Sequence, residues 1–246
     1  MRLGRIGFWY RVAVLILKPP LLLLTRRDWR HLDRVPAHGG VIVAANHISH
    51  ADPVVLADFV LYGARRLPRY LAKSTLFTGN GLVPRVMRGA GQIPVHRRTA
   101  DAGLALKDAV AALKAGECVV IYPEGTVSRD PQKWPMQART GVARLALMSG
   151  APVVPVAQWG AQEILDSYRS KGLHLLPRHT MTLSAAEPID LSPWQGKELS
   201  RDVLKEATAA VMAGITRELE VVRGATAPAT VHVHDEGSAT EVRRPA

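Results

Sequence analysis

The segment Asn46-His47-Ile48-Ser49-His50-Ala51-Asp52 sets an imidazole five residues ahead of a carboxylate. Histidine changes charge near neutral pH, so His47 can take a proton from a hydroxyl and later return it. A base of this kind works better when a carboxylate fixes its tautomer, and a turn between the two can fold Asp52 back onto His47. A plainer reading competes. Asp52-Pro53 suits a helix start, as N-cap and first-turn proline, and Asn46 suits a turn. His47, His50 and Asp52 also resemble metal-ligand spacing, but no further His or Cys cluster completes a four-ligand set in the body of the chain.

Three more stretches carry candidate chemistry. Gly91-Gln92-Ile93-Pro94-Val95-His96-Arg97-Arg98 ends a short strand in two guanidiniums, whose forked donors suit phosphate oxygens. A solvated pair at a strand end is the ordinary alternative. Tyr122-Pro123-Glu124-Gly125-Thr126-Val127-Ser128-Arg129-Asp130 follows an apolar run. Glu124 could bind a hydroxyl, Gly125 would let backbone amides approach an anion, and a simple turn is the alternative. Gly150-Ala151-Pro152-Val153-Val154-Pro155-Val156-Ala157 reads as shape, with prolines marking a sheet edge. Cys118 is the single cysteine, inside an apolar run where a thiol is normally inert.

The elements that must position these residues alternate. Short apolar runs at 40–45, 92–95, 118–122, 153–157 and 180–185 read as strands, with a further one at 67–71. Residues 53–61, 75–88, 101–115, 142–148 and 200–222 read as helices. The pattern predicts one α/β domain, with a mixed, largely parallel central sheet flanked by helices. In open sheets of this kind ligands sit at the carboxyl ends of strands, where the His47 and Glu124 blocks fall. Residues 127–140 form a long loop of the sort that often serves function. The boundaries read as an N-terminal basic and apolar segment at 1–34, a catalytic domain at 35–223, and a disordered tail at 224–246.

Charge is unevenly spread. The 246-residue chain carries a net charge of +11. Residues 1–34 hold eight bases against two acids, and residues 59–100 hold eight bases and no acid. The first segment also has apolar runs broken by Arg11 and by Lys18-Pro19-Pro20. These interruptions argue against a spanning helix and favour one helix, or two hinged at the prolines, lying on an anionic membrane surface. A signal peptide does not fit, since no small-residue cleavage site follows. One cysteine excludes an internal disulfide framework. A nucleic-acid binder would share the charge, but no recognised motif appears and aromatics for base stacking are sparse.

Taken in order, Asn-His-x-Ser-x-x-Asp, Gly-x-Ile-Pro-Val-x-Arg, Tyr-Pro-Glu-Gly-Thr and Val-Val-Pro-Val-Ala resemble the four-block signature of the glycerolipid acyltransferases. Among these are the bacterial 1-acyl-sn-glycerol-3-phosphate acyltransferases. The resemblance spans roughly residues 35–190. Arg129-Asp130-Pro131, Trp134-Pro135, Gly141 and Ala157-Gln158-Trp159-Gly160 are similar to the actinobacterial branch. It implies His47 as general base and Asp52 as the residue that orients it. It implies Arg97 and Lys73 (in Leu-Ala-Lys-Ser-Thr-Leu-Phe) as contacts to the acceptor phosphate, and Glu124, Gly125 and Thr126 as holders of the glycerol-phosphate acceptor. Many members carry Arg where this chain has Val127, which leaves Arg129 or the Lys73 and Arg97 pair to make up the grip. The implied partners are an acyl-CoA or acyl-carrier-protein donor, a lysophosphatidic acid acceptor and an anionic membrane, with no metal or other cofactor and no nucleic acid. The implied location is the cytoplasmic face of the cell membrane, held peripherally. Another lysolipid acceptor, a non-catalytic membrane adaptor and a metal-dependent hydrolase are the alternatives.

Overall fold

The computed structural model describes residues 7–95, 102–166, 168, 172–235 and 238–243. Its centre is a seven-stranded sheet in the order β1-β7-β6-β2-β5-β3-β4. The strands are β1 (Thr25–Arg30), β2 (Val41–Ala45), β3 (Pro68–Lys73), β4 (Ile93–Val95), β5 (Cys118–Ile121), β6 (Val153–Trp159) and β7 (His179–Ala185). Neighbours run parallel except β6 and β7, which are antiparallel. The sheet is therefore mixed and largely parallel, as expected.

The all-apolar strands follow from burial on both faces. Every residue of β2 is buried. Ile42 and Ala44 enter one apolar layer, under α4 (Ala102–Lys114), α5 (Gly141–Ser149) and α7 (Arg201–Arg223). Val41, Val43 and Ala45 enter the other, beneath α2 (Asp52–Asp58) and the wider turn Phe59–Gly63 that extends it. Two further short helices are α3 (Leu82–Gly89) and α6 (Ala161–Ile164).

The N-terminal segment does two jobs. α1 (Phe8–Leu24) is a single helix that carries Pro19 and Pro20 inside it, rather than two helices hinged there. Thr25 Oγ1 donates to Leu21 O at 2.6 Å at its end. The chain then enters the sheet directly as β1, paired with β7 from Thr25↔His179 to Arg30↔Ser184. Residues 25–30, grouped with the N-terminal membrane segment on sequence, are thus an edge strand of the central sheet. At the other end, part of the stretch expected to be a disordered tail forms an antiparallel hairpin of β8 (Thr230–Asp235) and β9 (Ser238–Arg243). The Gln137 amide donates to His232 O at 3.0 Å and ties the hairpin to the 127–140 loop. Alternating β-branched residues in Thr230-Val231-His232-Val233 suit such a strand.

Parallel register brings the chemistry together. Ala44 pairs with Ile121 and Ala45 with Val156, so the segments that leave β2 and β5 emerge side by side. The His47 block follows β2, and the Glu124 block follows β5.

Candidate active site

His47 Nδ1 lies 2.8 Å from Asp52 Oδ2. A carboxylate can only accept, so it selects the tautomer with the proton on Nδ1 and leaves Nε2 as the basic nitrogen. The same Asp52 oxygen accepts the Ile48 amide at 2.6 Å and the Ser49 amide at 2.8 Å. Asp52 is fully buried and is the first residue of α2, one place further in than an N-cap. Its carboxylate therefore reaches back over the 48–49 turn instead of capping forward. One oxygen both shapes the turn and orients the imidazole.

Glu124 grips the same segment from the β5 side. Its Oε1 accepts the His47 amide at 2.9 Å, and its Oε2 accepts the Met136 amide at 2.9 Å. Burial pushes its carboxyl up to about 8, opposed by these two amide bonds and reinforced by the charges of Asp52 and Asp130. Both oxygens are turned into the protein. The 127–140 loop closes over this point. The Ser128 amide donates to His47 O at 2.6 Å, Ser128 Oγ donates to Trp134 O, and Trp134 is buried. On the opposite flank Asn46 and Gln158 clamp β2 to β6. Gln158 N–H donates to Asn46 Oδ1 at 2.8 Å, Asn46 Nδ2 to Gln158 O at 3.0 Å, and Gln158 Nε2 to Asn46 O at 2.5 Å. The Val-Val-Pro-Val-Ala strand, read on sequence as shape, thus leads into a polar clamp on the residue before His47.

His47 opens into a cavity of about 710 Å³, with His50, Lys73, Tyr122, Gly125 and Thr126 also in its wall. α1 covers much of the remainder with Tyr10, Val14 and Leu17. The space is mainly apolar, with the imidazoles of His47 and His50, the ammonium groups of Lys18 and Lys73 and the carboxylate of Asp58 in its wall. That arrangement suits proton transfer beside a long apolar substrate rather than a small polar one.

The predicted residues distribute unevenly. His47 and Asp52 are in contact, and Lys73, Gly125 and Thr126 share the cavity with His47. Gly125 adopts φ +73°, a conformation that favours glycine. Glu124 holds the His47 backbone instead of lining the cavity. Arg129 is exposed, with its guanidinium 5.3 Å from the Tyr168 ring centre, and it does not line the cavity. Arg97 lies outside the described residues. Val95, two places before it, pairs with Lys73 in the β4–β3 register. Cys118 is buried, and burial pushes its thiol up to about 12, so it is no nucleophile at neutral pH. Among the described residues no three His, Cys, Asp or Glu side chains converge as a metal-ligand set.

Two aromatic residues near the site carried no assigned role on sequence. Tyr122 stacks on His47 with ring centres 4.2 Å apart and planes 17° apart. Tyr70 stacks behind Tyr122 at 6.3 Å and donates its hydroxyl to Pro53 O at 2.9 Å. Tyr122 was visible as the first residue of Tyr-Pro-Glu-Gly-Thr. Its partner across the sheet was not.

Residues 26–159, more than half of the chain, match the family model described as Acyltransferase. The chain is 29% identical over 160 residues to the 1-acyl-sn-glycerol-3-phosphate acyltransferase of Bacillus subtilis (strain 168), covering 64% of this chain and 70% of that protein. Its fold is similar to the crystal structure of the 1-acyl-sn-glycerophosphate (LPA) acyltransferase, PlsC, from Thermotoga maritima, with a TM-score of 0.62 and 21% identity. That match covers 89% of this chain and 84% of the other.

Proposed function

The chain belongs to the acyltransferase family, and from that premise we propose that it transfers a fatty acyl group from a thioester donor to the sn-2 hydroxyl of 1-acyl-sn-glycerol-3-phosphate, giving phosphatidic acid. The donor is acyl-CoA or acyl-carrier protein. The observation that carries this reading is the His47–Asp52 pair, 2.8 Å apart, opening on a largely apolar cavity of about 710 Å³.

The arrangement of His47 and Asp52 supports the following steps. His47 Nε2 takes the proton of the acceptor hydroxyl as its oxygen attacks the thioester carbonyl. Asp52 holds the imidazolium that results. The tetrahedral adduct collapses, the C–S bond breaks, and the leaving sulfur takes the proton back from His47. No covalent acyl-enzyme is needed. Lys73 supports the acceptor phosphate from the cavity wall, and Arg97, which follows β4 beside it in sequence, supplies the second cation. Gly125 and Thr126 lie against the glycerol portion. Val127 is buried where many family members carry Arg, so the phosphate grip leans on Lys73 and Arg97. A different phosphorylated lysolipid would meet the same groups, and a panel of lysolipid acceptors separates these substrates.

The protein works at a membrane because its acceptor lives there. Among the described residues no helix is long and apolar enough to cross one. We propose that α1, with its exposed Leu15 and Leu23, lies on the membrane surface, on the cytoplasmic face.

The test is acyl transfer by purified protein, with acyl-CoA and lysophosphatidic acid. His47→Ala should lower kcat by about a hundredfold to ten-thousandfold, the range for a lost general base, with an unchanged melting temperature. Near wild-type turnover by that variant would remove His47 from the chemistry.

A further inference from the structure

The imidazole of His47 is not held by Asp52 alone. Asp52 fixes one ring nitrogen, but a single hydrogen bond leaves the ring free to rock about the bond. The Tyr122 ring closes one face of the imidazole at 4.2 Å and 17°, and Tyr70 packs against Tyr122 with ring centres 6.3 Å apart and planes 26° apart. Tyr70 is itself pinned through its hydroxyl to Pro53 O, at the start of α2. These contacts link the start of the helix bearing Asp52, through Tyr70 of β3 and Tyr122 after β5, back to His47.

We propose that Tyr122 is a positioning residue for the proton transfer at His47. Its ring keeps the imidazole aligned with Asp52 and stabilises the positively charged form that exists only after the acceptor proton has been taken. The proposal rests on the acyl-transfer reading, in which His47 passes through that charged form. An aromatic face attracts a cation through its quadrupole, by an amount that grows when water is excluded. A neutral imidazole gains less from the same face. The stack therefore favours the transition state over the resting state, the kind of contact that raises kcat rather than binding.

Tyr122 is suited to supply a face and not a charge. Burial first, and then the nearby Asp52 charge, push its phenol well above the usual tyrosine range. Its hydroxyl stays protonated at any working pH. That hydroxyl, Asp52 Oδ1 and Gln158 Oε1 are buried without a hydrogen-bond partner among the described residues. The ring, not the hydroxyl, makes the defined contact. Other charged or titratable groups surround the stack from every side. Asp52 comes from α2, His50 from the turn before it, Lys73 and Tyr70 from β3, Glu124 from the segment after β5, Cys118 from β5, and Tyr10 and Lys18 from α1.

The experiment compares wild type with Tyr122→Phe, Tyr122→Leu and Tyr122→Met, each checked by thermal melting. The His47 imidazole is titrated by NMR, and kcat/KM is followed against pH. Leu and Met should lower kcat by about 3- to 30-fold, the span of a lost cation–aromatic contact, with little change in the acceptor KM. They should also move the His47 titration midpoint and the acid limb of the profile to lower pH, by about half to one pH unit. Phe keeps the ring and should keep the wild-type midpoint. Met is included because its flexible chain fills the space if Leu does not fold. The proposal fails if folded Leu or Met variants titrate as wild type, or if Phe is as impaired as they are. A wild-type chain with no acyl transfer overturns the functional reading instead, and the NMR midpoints still decide whether the stack acts on His47.

Discussion

At the scale of single residues, two carboxylates from different elements do different work on one turn of chain, residues 47–49. Asp52 faces the imidazole and three donors converge on one of its oxygens. Glu124 faces only amides and sets where the His47 backbone lies. Its burial has a consequence for stability. The unfolded carboxyl ionises near 4.5, while the folded one holds its proton up to about 8. Between those values the folded state binds more protons than the unfolded state, so the contribution of Glu124 is complete at low pH and is lost as pH rises through 8. Glu124→Gln removes the titration and puts an NH2 against one of the two amides. Below pH 5 the neutral carboxyl meets the two amides as the Gln side chain does, so the variant should keep close to wild-type stability there. Denaturant melts from about pH 5 to 8 should show wild type losing stability relative to the variant as pH rises, by up to about 1.4 kcal/mol per pH unit. Parallel curves would mean that Glu124 is ionised throughout.

At the scale of elements, legibility followed locality. β2 could be read because a central parallel strand is buried on both faces and must be apolar along its length. The His47–Asp52 contact could be read because five residues and one turn connect its partners. β1 could not, because Thr25-Arg26-Arg27-Asp28-Trp29-Arg30 is an edge strand whose pairing is made by backbone and four of whose six side chains are charged. The role of Glu124 was hidden for a related reason. Its second partner, Met136, is brought back only by the path of the 127–140 loop. The seat of α1 was likewise invisible. A methyl group on Gly89 of α3 would stand 2.1 Å from Trp9 Cδ1, so the two helices touch only because residue 89 has no side chain. Gly89→Ala must push Trp9 away, at a cost of about 1–3 kcal/mol for an overpacked contact. Because α1 roofs the cavity, the expected result is faster proteolysis within α1 and a raised KM for the acyl donor, with the melting of the sheet core little changed. Wild-type protease resistance in that variant would show that the helices meet some other way.

At the scale of the whole molecule, the charge asymmetry and the apolar exposure coincide. α1 leaves Leu15 76% and Leu23 71% exposed, and α3 leaves Leu82 and Val83 exposed. A third element joins them from far along the chain. Leu176 is 79% exposed, Leu173 is exposed as well, and Arg178 next to them donates to Leu22 O at 2.8 Å and Thr25 O at 2.6 Å. That pair of bonds holds the 172–178 loop against the carboxyl end of α1. Arg26 and Arg85 are exposed on the same elements or beside them. Leucines inserted shallowly among bases are what a proposed contact with an anionic bilayer requires, since apolar burial and attraction to lipid headgroups then add. The two contributions can be separated. Sedimentation with phosphatidylglycerol vesicles should exceed that with phosphatidylcholine. It should also weaken as salt shortens the screening length from about 8 Å at 0.15 M to about 3 Å at 1 M. Leu15→Ser with Leu23→Ser should remove most of the salt-resistant part, and Leu173→Ser with Leu176→Ser should remove a further share if the loop enters the same surface. Binding that is indifferent to lipid charge and to all four substitutions would place the membrane contact elsewhere and leave the basic N-terminal third without this explanation.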